Sequence, residues 1–204
     1  MRADAERNRQ RILSAARAVF AEHGIDAPMA TVARRAGVGV ATLYRRFPTR
    51  DDLVRAAFAQ QMDACAGALT DALADPDPWR GFRHLFETVC ALQREERGFP
   101  AAFAAAFPAS SREHAGVRER AERDLLTLVR RAQGAGALRA DFHPSDLTVA
   151  LVSHCGLVGA LPGDHAASRR LVAYLLQSFR AETAREPLPA PSTLNLRSFP
   201  RPTP

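Results

Sequence analysis

Apolar residues recur every three or four positions along most of this chain, a spacing that predicts amphipathic helices. Proline, glycine and aspartate residues interrupt the spacing and separate one predicted helix from the next. No segment alternates between apolar and polar residues with a period of two, so no strand is predicted. The pattern therefore predicts an all-α fold with helices at about residues 5–23, 28–36, 40–47, 50–73, 79–96, 100–107, 111–133, 147–161 and 166–183.

Local signals support the boundaries of these helices. Gly24 is placed to end the first helix, and Thr49 with Asp52 three residues later has the spacing of a capping box that starts the fourth. The inward stripe of the first helix is Ile12, Ala16, Val19, Phe20 and His23.

Residues 31–50 form the most informative stretch, TVARRAGVGVATLYRRFPTR. It predicts two short helices joined at Ala36-Gly37-Val38, because Gly37 permits the backbone conformation that a tight turn needs. In the second of these helices, Leu43 and Phe47 are spaced to face inward. Two short helices with a glycine turn suit a helix-turn-helix motif whose second helix enters the DNA major groove.

The distribution of charge supports a polyanionic partner for this part of the chain. All 28 basic residues are arginine, and residues 1–50 hold 10 of them against 4 acidic residues. Residues 51–204 hold 18 arginines against 18 acidic residues, so the formal charge of +6 resides in the first quarter. A basic module followed by a neutral body is typical of nucleic-acid binding by the module alone. A solvated, arginine-rich face that serves only solubility is the alternative.

The ends of the chain and its longest apolar run predict no targeting or membrane segment. The first residues, MRADAERNRQR, are too polar for a secretion signal, and the apolar run at residues 147–161 is short and broken by Ser153 and His154. Six of the 14 prolines fall within residues 185–204, which we expect to form a disordered tail. These features favour a cytoplasmic protein.

Sequence motifs of catalysis and metal binding are missing from this chain. Cys65, Cys90 and Cys155 are widely spaced in apolar surroundings, as expected of free thiols in a reducing compartment rather than metal ligands. GVGVAT lacks the third glycine of a dinucleotide fingerprint and follows a helix instead of a strand. No GxSxG, HExxH or Walker sequence occurs. We therefore expect no enzyme, no catalytic residue, no cofactor and no metal.

The stretch VARRAGVGVATLYRRFPTRDDL closely resembles the signature of TetR-family transcriptional regulators. The resemblance is specific over about residues 8–55 and only architectural beyond them. It implies a three-helix DNA-binding domain at residues 1–48 and a helical effector-binding and dimerisation domain at residues 49–184. The residues that match are Val32-Ala33, Ala36-Gly37-Val38, Thr42-Leu43-Tyr44, Phe47, Arg50 and Leu53. The usual member is a homodimeric repressor that a small molecule releases from its operator.

The resemblance also implies roles for individual residues in DNA binding. Thr42 and Tyr44 match phosphate-binding positions, and Arg50 matches a basic residue that holds the backbone at the start of the fourth helix. The positions that face base edges are Val40, Ala41 and Arg45, with Arg46 beside them. Gly39 stands where the family often has a serine or threonine N-cap, which weakens this helix start by roughly a few tenths of a kcal/mol, and Ala27 likewise replaces a common hydroxyl cap.

A switch of this kind needs an effector site and a dimer interface. The effector would be apolar or aromatic, since few polar groups accompany the candidate lining residues. These are Phe58, Met62, Cys65, Trp79, Phe82, Phe86, Cys90, Phe103, Phe107, Leu125 and Leu128. Candidates for the dimer interface are Val152, Gly156, Gly159, Leu171, Leu175 and Phe179. Packing within the chain's own core is the alternative for both sets.

Other functions remain as alternatives at this point. A helical interaction protein that binds no DNA is the main one, and a small helical enzyme is a weaker one. The charge confined to residues 1–50 disfavours the first, and the missing catalytic motifs disfavour the second.

Overall fold

The computed structural model describes residues 2–96, residue 99 and residues 115–194. The described ranges are all-α, with one short 3-10 helix, Ala181–Thr183, and a single isolated bridge between Leu138 and Arg180. The α-helices are α1 (Arg2–His23), α2 (Met29–Ala36), α3 (Val40–Arg46), α4 (Arg50–Ala57), α5 (Ala59–Ala74), α6 (Pro78–Glu95), α7 (Ala115–Gly134), α8 (Pro144–Ala160) and α9 (His165–Phe179). This confirms the all-α prediction, while the helix expected at residues 100–107 lies outside the described residues.

Helices α1 to α4 pack around an apolar cluster that contains the predicted stripe of α1. Ile12, Ala16 and Val19 are fully buried, and Phe20 is nearly so. The prediction that His23 lies on the same stripe is wrong, because its side chain is exposed in the last turn of α1. An imidazole there remains hydrated, whereas the neighbouring turn of the helix has the large apolar Phe20 to bury.

The single helix expected at residues 50–73 is instead two helices, α4 and α5, separated at Phe58. Phe58 leaves the helical conformation, with φ −114° and ψ 16°, and its ring is fully buried. It packs against Phe20 and Phe99, with ring centroids 6.3 and 6.4 Å away. The Arg17 guanidinium donates to the carbonyl of Ala57 at 3.0 Å, so the backbone at the break is hydrogen-bonded. Aromatic packing and this bond together explain a break that local helix propensity does not encode.

Helices α5 to α9 form the helical body around a second apolar cluster. Its centre holds four aromatic rings in edge-to-face contact, those of Phe82, Phe86, Phe142 and Phe179, with centroid separations of 5.0 to 6.2 Å. Helices α5 and α6 approach most closely at Gly81, where an added Cβ would lie 2.5 Å from the carbonyl oxygen of Ala72. Glycine is therefore required for this helix crossing.

The body also encloses a buried hydrogen-bonded trio from three different helices. His154 of α8 is fully buried, with Nδ1 2.7 Å from Gln93 Oε1 on α6 and Nε2 2.8 Å from Ser168 Oγ on α9. Gln93 and Ser168 are themselves at least 98% buried. Burial lowers the pKa of His154 to about 4, with a smaller contribution from the charge of Arg94. His154 is thus a neutral, satisfied core histidine at neutral pH.

The residues that follow α9 are fastened to the α7–α8 connection. Arg139 forms two hydrogen bonds with the Asp141 carboxylate and a third, at 2.9 Å, with the carbonyl of Glu186. The amide of Leu188 donates to Asp141 at 2.8 Å. Together these bonds lower the pKa of Asp141 to about 2. The start of the proline-rich tail is therefore anchored, while residues 195–204 lie outside the described residues.

Candidate nucleic-acid interface

A glycine turn fixes the angle between α2 and α3. Gly37 adopts φ 65° and ψ 37°, a left-handed conformation that favours glycine. Its amide and that of Val38 donate to the carbonyls of Arg34 and Ala33, which closes the end of α2. The Arg11 guanidinium adds a bond of 3.0 Å to the last carbonyl of α2, at Ala36. Arg11 was not predicted as part of this turn, because 25 residues separate the partners.

The predicted helix starts are only partly correct. Neither α2 nor α3 has a side-chain cap, as expected from the missing hydroxyl groups, and Gly39 is the N-cap of α3. The N-cap of α2 is Pro28, and Ala27 is buried beneath it.

Helix α3 separates buried from exposed side chains at its predicted spacing. Leu43 is fully buried and Phe47 is 6% exposed. On the other side, Val40 and Tyr44 are 43% and 47% exposed. The remaining proposed DNA contacts on this surface are Ala41, Arg45 and Arg46, which are exposed, and Thr42, which is half-buried. The structure thus places the proposed α3 contacts on one short helix beside a solid apolar core.

The arginines at this surface have partners of two kinds. Arg45 donates to the hydroxyl of Thr42 at 3.0 Å, and Arg46 donates to the carbonyl of Ala5 at 3.2 Å. These acceptors are neutral, and the second contact attaches α3 to the first turns of α1. Arg50, by contrast, donates to the carboxylate of Asp26 at 3.1 Å. Asp26, 24 residues from Arg50 in sequence, was missed by the sequence analysis.

Helix α4 begins with the predicted capping box. The Thr49 hydroxyl accepts from the amide of Asp52, and the Asp52 carboxylate accepts from the amide of Thr49, both at 3.1 Å. The Thr49 hydroxyl also donates to the Asp52 carboxylate at 2.7 Å, and this bond, followed by that from Arg55, lowers the pKa of the Asp52 carboxyl. The capping box fixes Arg50 as the first residue of α4, next to the C-terminal end of α3.

The effector candidates divide between the two apolar clusters instead of lining one space. Phe58, Met62 and Cys65 belong to the first cluster or pack against it. Phe82, Phe86, Cys90, Leu125 and Leu128 are buried in the second, and Trp79 packs against that cluster. Phe103 and Phe107 lie outside the described residues. Only Met62, Cys65 and Trp79 are half-buried; the other described candidates are core residues.

The dimer candidates also differ in burial. Gly156 and Gly159 are exposed with open space around them, while Val152, Leu171 and Leu175 are half-buried. Phe179, expected at the interface, is buried in the aromatic centre of the helical body. Three residues that the sequence analysis did not single out are exposed on the same two helices and the turn between them: Val149, Leu161 and Tyr174. Their wide exposure depends on how α8 and α9 pack, which residue spacing alone does not encode.

Burial also determines the state of the cysteine thiols. It raises the pKa values of Cys65 and Cys90 to about 12, and it raises that of Cys155 as well. All three thiols are therefore protonated at neutral pH and poorly suited to metal binding. Among the residues that the structure covers, no group of three His, Cys, Asp or Glu residues could hold a metal ion. No helix in these ranges has both the length and the apolar character required to cross a membrane.

Comparisons with known families match both parts of the chain. The family described as "Bacterial regulatory proteins, tetR family" matches residues 12–57. The family described as "Transcriptional regulator SbtR-like, C-terminal domain" matches residues 77–181. The two matches cover the helix-turn-helix with its supporting helices and most of the helical body.

Individual relatives agree with the family matches. An HTH-type transcriptional regulator of Staphylococcus aureus (strain USA300) is 39% identical over 64 residues, 31% of this chain and 35% of that protein's length. The TetR transcriptional regulator SCO0520 of Streptomyces coelicolor is 30% identical, with a TM-score of 0.54 over 84% of this chain and 98% of that one. RolR, solved in complex with resorcinol, shares the fold at 23% identity and a TM-score of 0.50, over 94% of this chain and 100% of its own.

Proposed function

We propose a function for this chain from its family. The chain belongs to the TetR family of bacterial transcriptional regulators, which bind DNA and are not enzymes. It acts as a homodimeric repressor that leaves its operator when a small molecule binds. Residues 1–48 form the DNA-binding domain, to which Arg50 at the start of the next domain adds a contact; residues 49–184 bind the effector and dimerise, and residues 185–204 form a tail. A DNA-free interaction protein is disfavoured by the family and by the exposed face of α3.

The observation that carries DNA binding is the arrangement of α3. Tyr44 is 47% exposed, although its neighbour Leu43 is fully buried. Solvent-exposed Val40, Ala41 and Arg45 offer contacts to base edges, and an arginine can bind O6 and N7 of guanine with two hydrogen bonds. Thr42, Tyr44, Arg46 and Arg50 bind phosphates and so fix the position of α3 on the duplex. Base recognition then depends mainly on Arg45, because Val40 and Ala41 can make only apolar contacts.

Dimerisation is supported by the exposed apolar surface of α8 and α9. Val149 is 41% exposed, Leu161 48% and Tyr174 56%, and all lie on these helices or the turn that joins them. Gly156 and Gly159 present no side chain, so a helix of a second subunit can approach closely. Two such helices from each subunit form a four-helix interface, which places two copies of α3 on one face of the duplex.

The effector site is proposed beside two half-buried residues of α5. Met62 and Cys65 pack against the first apolar cluster but are not fully covered by it. Trp79, in the first turn of α6, packs against the second cluster and remains a separate candidate from the sequence. The neutral thiol of Cys65 behaves as an apolar group, since its pKa is raised to about 12. An apolar or aromatic small molecule suits these surroundings. Phe103 and Phe107 remain candidates from the sequence.

DNA binding can be tested with a duplex taken from the region upstream of the protein's own gene. Light scattering of the full chain should give twice its mass of 22.2 kDa. In fluorescence-anisotropy titrations, Arg45→Ala should weaken specific binding about tenfold to a hundredfold, since a bidentate arginine–guanine contact contributes about 1–3 kcal/mol. Tyr44→Ala should weaken binding to all duplexes, because it removes a phosphate contact.

Arg34→Ala is the matched control, since Arg34 is exposed on α2 outside the proposed contacts. It should change the affinity less than Arg45→Ala does. Wild-type affinity for both Tyr44→Ala and Arg45→Ala would rule out α3 as the recognition helix, and a monomeric mass would rule out the dimer.

A further inference from the structure

The arginines proposed to contact DNA differ in the hydrogen-bond acceptors that they hold in the DNA-free protein. Arg45 and Arg46 donate to a hydroxyl and a carbonyl, so their charges are uncompensated by these acceptors. Arg50 donates to the carboxylate of Asp26, and its charge is therefore already paired in the DNA-free protein. A backbone phosphate that binds Arg50 must either replace this carboxylate or lie close to its negative charge.

The Asp26–Arg50 contact is suited to exchange. The side chain of Asp26 is 68% exposed and that of Arg50 is 41% exposed, so water screens the pair and it adds little to folding stability. The structure records one hydrogen bond between them, from Nη1 to Oδ1, and the Nε of Arg50 is buried and without a partner among the described residues. A guanidinium held by one bond can rotate away from the carboxylate and bind a phosphate with two nitrogens.

The backbone around Asp26 does not depend on its charge. Asp26 lies in the α1–α2 connection between Ile25 and Ala27, which are buried and hold the connection in place. Gly24, at φ 76°, sets the direction of the chain. Within the part of the chain that the structure describes, the carboxylate accepts one hydrogen bond, from Arg50 at the start of α4.

We propose that Asp26 is an internal competitor for Arg50: its carboxylate occupies the guanidinium in the free protein and opposes the backbone phosphate that replaces it in the DNA complex. The inference rests on the proposed role of Arg50 as a phosphate contact. Asp26 thereby lowers the affinity for all duplexes and leaves the preference among base sequences unchanged, because phosphates carry no direct sequence information.

The chain supplies a matched control in a second carboxylate–arginine pair. Glu22 accepts from Arg35 at 2.5 Å, and both side chains are nearly half-exposed. Glu22→Gln and Asp26→Asn each remove one negative charge from the same domain and keep the shape of the side chain. Only Asp26→Asn releases an arginine that belongs to the proposed DNA contacts.

The experiment measures the affinity of the full-length protein for the upstream duplex across a series of salt concentrations. Asp26→Asn should tighten binding about two- to fivefold, the range expected of an exposed ion pair, and Glu22→Gln less than about twofold. The plot of log K against log salt should become steeper by up to about one for Asp26→Asn, because no carboxylate is then left to take up a cation when Arg50 binds the phosphate. Unchanged melting temperatures establish that both variants fold.

Combination with Arg50→Ala distinguishes a specific contact from a general charge effect. In the Arg50→Ala background, Asp26→Asn should change the affinity no more than Glu22→Gln does. The proposal is overturned if Asp26→Asn weakens binding, because Asp26 would then position Arg50 for DNA. It is also overturned if the gain persists without Arg50, or if Arg50→Ala alone leaves affinity and salt dependence unchanged. The proposed function is tested separately by Tyr44→Ala and Arg45→Ala.

Discussion

The two apolar clusters of this protein differ in whether polar side chains are buried among their apolar ones. The cluster of α1 to α4 buries apolar side chains, and no polar side chain described in these helices is buried; those of α3 are exposed or half-buried and can contact DNA. In the helical body, polar side chains are built into the interior. The six buried polar or charged residues found in the described ranges all lie there: Gln93, Arg139, Ser145, Thr148, His154 and Ser168.

This difference separates two ways of specifying a fold. An apolar cluster tolerates small changes of alignment, because dispersion and the hydrophobic effect are not directional. A buried hydrogen bond requires one alignment, because a buried donor or acceptor without its partner costs about 1–3 kcal/mol. The His154 trio therefore fixes α6, α8 and α9 relative to one another, whereas α3 needs only a firm apolar base beneath an exposed face.

The largest expected effect comes from removing the centre of the buried trio. His154→Leu leaves Gln93 and Ser168 buried without their partners, which should lower the free energy of unfolding by about 3 kcal/mol. The measurement is urea unfolding followed by circular dichroism at one fixed protein concentration, since dimerisation would contribute to stability. The control is the triple variant Gln93→Leu, His154→Leu and Ser168→Ala, which removes the orphaned polar groups and should recover part of the loss.

The same variant should change the pH dependence of stability. The pKa of His154 is lowered to about 4 from the ordinary 6.5, so between these pH values the unfolded chain binds a proton that the folded protein excludes. The free energy of unfolding of the wild type should therefore fall as the pH is lowered from about 6.5 to about 4, by about 1.4 kcal/mol per unit. His154→Leu should lack this component. A loss under 1 kcal/mol, with an unchanged pH profile, would contradict the role assigned to the trio.

The trio also marks where sequence-based prediction ends. The apolar residues around His154 in the sequence favour a buried position for it, but nothing in the sequence marks Gln93 and Ser168, 61 and 14 residues away, as its partners. The break at Phe58 was missed for the same reason, since Phe20 and Arg17 act on it from α1. By contrast, Leu43 and Phe47 were correctly placed inside, because four-residue spacing alone decides the face of a helix.

A smaller effect is expected at the close crossing of α5 and α6. Gly81→Ala would place a Cβ 2.5 Å from the carbonyl oxygen of Ala72, so the two helices must separate. Overpacking of this kind costs about 1–3 kcal/mol, part of which the better helix propensity of alanine offsets. We expect a net loss of about 1–2 kcal/mol in thermal or urea unfolding.

Gly67→Ala on α5 is the matched control for this prediction. Gly67 is exposed, with no atom within 4 Å of its added Cβ, so alanine there should stabilise the protein by up to about 1 kcal/mol. Opposite signs for the two substitutions would attribute the loss to the crossing. Equal gains would mean that α5 and α6 are packed more loosely than the structure has them.

At the proposed DNA surface too, features set by nearby residues were predicted and contacts between distant residues were not. The exposed face of α3 and the capping box at Thr49 and Asp52 follow from spacings of three and four residues and were predicted. The partners of its arginines were not predicted, because Asp26 and Ala5 lie 24 and 41 residues away from the arginines that they hold. Sequence patterns thus indicate which side chains are presented, while tertiary packing decides what competes with DNA for them.

The smallest effect is expected at the exposed capping box of α4, which lies on the surface of the α1 to α4 cluster. Thr49→Ala removes the hydroxyl that accepts from the amide of Asp52 and should lower the free energy of unfolding by about 1 kcal/mol. It should also raise the pKa of Asp52 toward its ordinary value, since the bonds from Thr49 are the first cause of its lowering. Thr49→Ser keeps the hydroxyl and should retain nearly wild-type stability. Because these bonds are exposed, water replaces them when they are lost, so a loss as large as that of His154→Leu would remove the distinction between the two clusters.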